Sequence, residues 1–307
     1  MPNTPVIASL SIPEPANATP SAQGTRLSHA VRTLGGDRAA LIALVCLAAL
    51  MLAGIFAPLL SPHHPDVTLG INTLNSRPPS AAHWLGTDSA SRDVLSRMLY
   101  GTRVSLAIAL LSALLASCVG LMYGGIAGYT GGALDSVMMR AIDALLSIPR
   151  ILLLIAVLAL WGTVSVFSLV LLLGLTGWFG VSRIARAEAM AARTREYVSA
   201  ARALGAGHFQ TFVRHVLPQL AGPVLVAATI SVGQVIILEA GLSYLGYGVP
   251  QPNSTWGSII RDGRETLSTA WWLTLFPGIA LVSTALAVNT LADRLRAALN
   301  PRQLPAP

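Results

Sequence analysis

The sequence predicts an all-α polytopic membrane protein with six transmembrane helices. Three observations predict it. Charged residues make up 11% of the 307-residue chain and hydrophobic residues 53%, with a mean hydropathy of +0.64. A soluble domain carries about 25% charged residues, so too little charge is present to cover a water-facing surface. The apolar residues gather into six long runs, and the arginines fall unequally between those runs.

Residues 1–31 open with a stretch rich in Pro, Ala, Ser and Thr and without periodicity, which reads as a disordered tail. No basic segment stands close to a short apolar core, so a cleaved signal peptide is not expected. Ala39 to Leu60 is the first apolar run. At 1.5 Å per residue it spans about 33 Å, enough to cross a bilayer. Ser61 to Arg103 is polar and rich in proline turns, and it reads as a long extramembrane loop. Residues 32–101 thus form an N-terminal span plus loop. The main body of spans follows at 102–293, with runs Val104–Tyr129, Val137–Leu160, Val164–Ile184, Pro223–Leu245 and Leu273–Leu291. Residues 294–307 form a second tail. Every run is helical by necessity, because lipid offers the backbone no hydrogen-bond partner. Gly128-Tyr129-Thr130-Gly131-Gly132 is the turn between the second and third runs, and Pro149 is expected to kink the third.

All 20 basic residues are arginine. Without lysine, neither a Walker A phosphate loop nor a Schiff-base site can be built. ATP chemistry therefore belongs to another chain, and no cofactor or metal is expected here. Fourteen arginines lie in segments on the side of the N-terminus and six on the other side. Arginine bias sets topology, so both termini and the loop 185–222 are expected in the cytoplasm. The net charge of +7 follows from that rule. No basic face interleaved with aromatics marks a nucleic-acid binder. Cys46 and Cys118 both fall inside apolar runs and read as helix-packing residues.

The loop 185–222 is too polar to span a membrane, yet it is patterned. Tyr197, Ala200, Ala201 and Leu204 recur at i, i+3, i+4 and i+7, on one face of a helix. Gly205 ends that helix as a C-cap glycine does. Phe209, Phe212, Val213, Val216 and Leu217 form the stripe of a second helix, which Pro218 is expected to stop. Taken alone, the pattern fits either an interfacial linker on lipid headgroups or an element docking into a groove on a partner.

The stretch Glu196-Tyr197-Val198-Ser199-Ala200-Ala201-Arg202-Ala203-Leu204-Gly205, followed by Leu217-Pro218, resembles the EAA loop of type I ABC importer permeases. Ser199 stands where peptide permeases commonly carry a glutamate, and Glu196 lies one turn earlier. Leu85-Gly86-Thr87-Asp88, Arg92-Asp93-Val94-Leu95-Ser96-Arg97 and Gly101-Thr102-Arg103 resemble the core entry of C-type permeases of dipeptide, oligopeptide and nickel importers. Ser91 replaces the glycine usual before that Arg-Asp pair. Leu242-Ser243-Tyr244-Leu245-Gly246 and Trp256-Gly257 extend the match. The resemblance implies a MetI-like core with an extra N-terminal helix, paired with a B-type permease. Two ATPase subunits and an extracytoplasmic substrate-binding protein complete the implied assembly. It also implies that Tyr197, Ser199, Ala200, Ala201, Gly205, Leu217 and Pro218 carry the ATPase contact, with ATP bound by the partners.

Other classes remain open at this level. Asp143 and Glu239 are acids within apolar runs, where ionisable groups are costly and signal function. They are candidates for a translocation path, and in a proton-coupled secondary transporter they would be the proton sites. A nickel or metal-chelate importer of the same family is a further alternative. Ser243 offers a hydroxyl, but all six histidines lie outside the runs, which argues against a Ser–His hydrolase. His63 and His64 with Asp66 present imidazoles of the kind nickel takes, although adjacent histidines do not readily face one ion.

Overall fold

A computed structural model describes residues 37–69, 74–162 and 164–299. The expected tail 1–31 lies outside these residues; of the expected tail 294–307, residues 294–299 belong to the last described helix and 300–307 lie outside. The described residues are mainly α-helical. Helix α1 (Arg38–Ile55) is followed by the short α2 (Ala57–Leu60), together covering the first apolar run. The Asp37 carboxylate accepts from the N–H of Ala39 at 2.8 Å and so caps α1. The same carboxylate meets Arg294 at 2.8 Å, which ties the start of α1 to the end of the last described helix.

Helix α3 (Val94–Thr130) is the longest element at 37 residues. The hydropathy reading places its first ten residues in a loop, and the 101/102 boundary falls inside it. The helix begins earlier because Asp93 caps it, accepting from the backbone N–H of Ser96 at 2.8 Å. The arginine of its first turn, Arg97, is buried, whereas Arg103 is exposed. Arg97 is 1% exposed and donates to Asp88 at 2.5 Å and to Asp262 at 2.8 Å. Arg92 donates to the same Asp88 carboxylate at 2.7 Å. Two arginines and two aspartates thus neutralise one another in a buried cluster.

Gly131 and Gly132 both take φ +65° and turn the chain into α4 (Gly132–Leu146). Pro149 does more than kink the third run. It caps a separate helix, α5 (Arg150–Trp161), and the pair is bent by 77°. The described chain thus holds five helices able to cross a membrane, or six counting this bent pair as one span. Helix α6 (Val166–Arg193) follows, opened by Ser165 in a reciprocal cap with Ser168. The short helices α7 (Glu196–Ala203) and α8 (His208–Thr211) come next. A π-helical turn at Phe212–Val216 leads into α9 (Leu217–Leu242), and a second π turn at Ser243–Tyr247 leaves it. The seven-residue α10 (Trp256–Asp262) and α11 (Trp272–Leu299) complete the fold.

The closest helix pair is α3 with α6. Gly120, Gly124 and Gly128 repeat every four residues along α3 and face α6. A Cβ at Gly120 would sit 2.7 Å from that of Val181. One at Gly124 would collide with the backbone of Ser182, and one at Gly128 with the backbone of Arg186. Lipid tails are as apolar as leucine, so helices in a bilayer associate through such close backbone packing rather than through a hydrophobic drive.

Two outcomes follow. Gly124→Leu is expected to destabilise the detergent-solubilised chain by about 2 kcal/mol or more, since overpacking here must displace backbone. Gly180→Leu, on the open face of α6, serves as the control because nothing lies within 4 Å of it. Arg97→Leu leaves Asp88 and Asp262 short of a cation and is expected to cost about 3 kcal/mol. Thermal unfolding of each purified variant measures both effects.

Candidate functional site

The patterned loop folds as an elbow at the end of α3 and α6. Helix α6 runs to Arg193, nine residues further than the hydropathy run, so the elbow proper begins at Thr194. Arg195 precedes α7, and Leu204 is its C-cap. Gly205 follows with φ +89°; its N–H donates to the Arg202 carbonyl, and the N–H of Ala206 donates to the Ala201 carbonyl, both at 3.0 Å. This is the paired 5→2 and 6→1 closure of a Schellman turn, which requires a left-handed residue. The expectation for Gly205 is therefore met in geometry.

The elbow has an inner and an outer face. On the inner face Val198 is 1% exposed and Phe212 is 6% exposed, while Val216 is fully buried. They pack with Val181, Ala185, Ala189 and Ala192 of α6 and with Leu121 and Tyr129 of α3. On the outer face lie Tyr197, Ser199 and Ala200, all exposed, with Ala201 half-buried. Leu204 and Phe209 project furthest, at 89% and 81% exposure. Tyr197 lies across from His215, with 6.4 Å between ring centroids. The predicted first stripe is thus a single face, and it is the bare one.

The predicted second stripe is divided. Phe212 and Val216 turn inward, whereas Phe209 and Val213 stay exposed. Phe212, Val213 and Val216 belong to the π turn, whose wider winding departs from the α-helical stripe that the pattern predicts. The same turn corrects the expectation for Pro218. Proline lacks an N–H and crowds the carbonyl four residues back. The widened turn before it leaves room for the ring, so the helix runs on through Leu217 and Pro218 into α9 instead of stopping. Leu217 is half-buried and Pro218 exposed at this junction.

The root of the elbow is held by charge. Arg186 of α6 grips Asp135 of α4 in a two-point contact at 2.5 and 2.6 Å. Sequence reasoning did not single out Asp135, Val198 or the α6 alanines. The signal was present in Ala185, Ala189 and Ala192, which recur at i, i+4 and i+7 and mark a face able to receive bulky neighbours.

The two intramembrane acids are not brought together. Asp143 is exposed on α4 and pairs with Arg183 of α6 at 2.5 Å. Glu239 of α9 is 1% exposed and accepts from the Ser243 hydroxyl at 2.7 Å. It is enclosed where α10 presses on α9: a Cβ on Gly257 would meet Ala240 at 2.6 Å. Trp256, fully buried beside it, donates its indole N–H to Thr102 at 3.1 Å. In this conformation Glu239 belongs to a packed helix junction. Arg150, which the sequence reading counts with the cytoplasmic arginines, reaches the middle of α6 and donates to the Leu173 carbonyl at 2.8 Å. His63 and His64 diverge: His64 lies near Tyr100 and the exposed Asp66, while His63 turns toward His83.

Residues 120–304 match the family model described as "Binding-protein-dependent transport system inner membrane component". Residues 25–79 match the "N-terminal TM domain of oligopeptide transport permease C". The chain belongs to this permease family. It is similar to the dipeptide transport system permease protein DppC of Bacillus subtilis, at 38% identity over 272 residues, covering 88% of this chain and 84% of the relative. The oligopeptide transport system permease protein OppC of the same organism is 35% identical over 267 residues, 87% of this chain and 86% of the relative. A putative peptide permease protein of Brucella suis is 38% identical over 285 residues, covering 92% and 93%. The two family matches meet the sequence resemblance at both ends: an N-terminal span of the C-type permease, then the transport core.

The Schellman turn of this permease chain yields a prediction. Gly205→Ala has space for its methyl group but not the backbone angle, which costs about 1 kcal/mol in the left-handed region. Amides of the α7–α8 turn are expected to exchange with solvent roughly five-fold faster in Gly205→Ala. Gly205→Asn is expected to lie between, since asparagine tolerates that region better. Hydrogen exchange read by mass spectrometry checks both.

Proposed function

We propose that the chain is one permease subunit of an ATP-driven peptide importer, coupled to separate ATPase subunits through the elbow. The observation that carries this reading is the two-faced construction of residues 196–216. The inner face is seated on α3 and α6, and the outer face leaves Tyr197, Leu204 and Phe209 bare. Single exposed apolar residues are ordinary on a lipid-facing helix. On a loop that also carries Glu196, Arg202, His208 and Arg214 they fit the groove of a protein partner better than a bilayer.

In this reading both termini and the elbow face the cytoplasm, following the arginine count. The partners are a B-type permease, two ATPase subunits and an extracytoplasmic substrate-binding protein. ATP binds on the ATPase subunits; the lack of lysine excludes a Walker A loop in this chain. The names of the relatives support di- or oligopeptides as the class of cargo. Ser199 and Glu196 are exposed on neighbouring turns, so an acidic contact to the ATPase is supplied by Glu196 in place of the usual glutamate. ATP acts by favouring one of two permease states, and only an elbow that touches the ATPase differently in those states transmits the preference.

The test is retention of the ATPase subunits. Leu204→Glu combined with Phe209→Glu is expected to strip them from the detergent-solubilised complex and to lower peptide uptake at least ten-fold. Membrane insertion and the amount of chain are expected to stay unchanged, because neither side chain packs inside the fold. Full uptake with ATPase retained by this double variant would remove the elbow from the coupling role.

A further inference from the structure

We propose that His63, His83 and Asp93 form a binding site for a divalent transition metal of the zinc class. The site lies in the connection between the first span and the core. One ligand atom from each residue falls within 4.8 Å of the other two. Nδ1 of His83 and Oδ1 of Asp93 stand 3.0 Å apart. Two ligands bound tetrahedrally to one zinc at about 2.0–2.1 Å stand about 3.3–3.4 Å apart, so this pair needs to open by only a few tenths of an ångström to share an ion. The third member is the telling one. Nδ1 of His63 is buried and has no hydrogen-bond partner, although its ring lies 5.6 Å from that of His83. A buried polar atom without a partner calls for an occupant.

The surroundings are built around these ligands. Asp93 is 2% exposed and His83 8% exposed. The Ser96 backbone N–H and hydroxyl both donate to Oδ2 of Asp93 at 2.8 Å, which fixes the carboxylate and leaves Oδ1 directed at the cluster. The Ser96 hydroxyl also accepts from the backbone N–H of His63 at 3.3 Å, which brings His63 to the first turn of α3. Hydrogen bonds made behind metal ligands in this way hold them in orientation. A small rotation of the His63 ring closes the triangle, His83 exchanges its Nδ1 proton through solvent for one on Nε2 and so stays a neutral ligand, and water takes the remaining position. The ion then ties three separate stretches together: the exit from α2, the proline-rich loop and the head of α3. The site differs from the sequence candidate of His63, His64 and Asp66, and it departs from the expectation that the chain holds no metal.

The experiment uses the full chain in detergent, stripped with a chelator and titrated with zinc chloride, with cobalt as the coloured probe. One zinc per chain, a rise in the thermal midpoint, and a visible cobalt spectrum of a four-coordinate site are expected. His63→Ala is the decisive variant because the His63 side chain makes no hydrogen bond whose loss would unfold the loop. It is expected to weaken zinc binding at least ten-fold and to abolish the cobalt spectrum. His64→Ala is expected to bind as the unaltered chain does. No saturable zinc binding by the unaltered chain, or equally tight binding by His63→Ala, overturns the proposal.

Discussion

The rest of the structure depends on the approach of α3 to α6 through Gly120, Gly124 and Gly128. At Gly124 the space for even a methyl group is taken by the backbone of Ser182. This contact does more than join two helices. It sets the depth at which Leu121, Gly125 and Tyr129 meet Val181, Ala185 and Ala189, and that surface is the seat of Val198, Phe212 and Val216. The elbow therefore inherits its position from a run of three glycines in the interior of a span. A substitution in that run of glycines would therefore move the elbow.

At the opposite end of α3 the organising term is electrostatic. Arg92 and Arg97 meet Asp88 and Asp262 out of water, and Asp262 belongs to α10, more than 160 residues along the chain. Two opposed pairs cancel, and the shared carboxylates give each guanidinium more than one acceptor, which is the condition for burying charge without large loss. Trp256 completes the junction, donating its backbone N–H to Ser105 and its indole N–H to Thr102. Backbone contact thus sets one end of α3, and paired charge sets the other.

These two kinds of contact also explain what was legible in the sequence. The spans were readable because lipid forces apolar side chains and helical backbone into one long signal. Gly205 was readable because a left-handed turn leaves few residues to choose from. The start of α3 and the existence of α10 were not readable from hydropathy. Arg92, Arg97, Asp88 and Asp262 look like loop charges one at a time, and only their meeting in space makes them buried. Pro218 misled for a related reason: its effect depends on the turn before it, and a π turn has no sequence mark as plain as a proline. The opposite exposures of Val213 and Val216 fall within that same π turn. Glu239 was read as a path candidate from its charge alone, whereas its surroundings are set by Ser243 and by the glycine contact of α10 on α9.

Stiff and yielding elements are divided between helices. Helices α3 and α6 are continuous over 37 and 28 residues and locked by backbone contact. The irregularities fall elsewhere: the 77° break between α4 and α5, and the π turns at both ends of α9. Gly246 in the second of these takes φ +96°. A π turn and a broken helix are places where a small change of angle rearranges few hydrogen bonds, so they yield before a glycine-packed pair does. The elbow joins the two classes, since its first arm continues from α6 and its second enters α9 through a π turn. A push on Leu204 and Phe209 in the proposed reading therefore meets a fixed support on one side and a compliant one on the other. Motion is directed into α9, where Glu239, Ser243 and the buried Trp256 junction lie at the far end. A lever requires one arm held and one arm free, and the distribution of glycine contacts and π turns along this chain supplies that asymmetry.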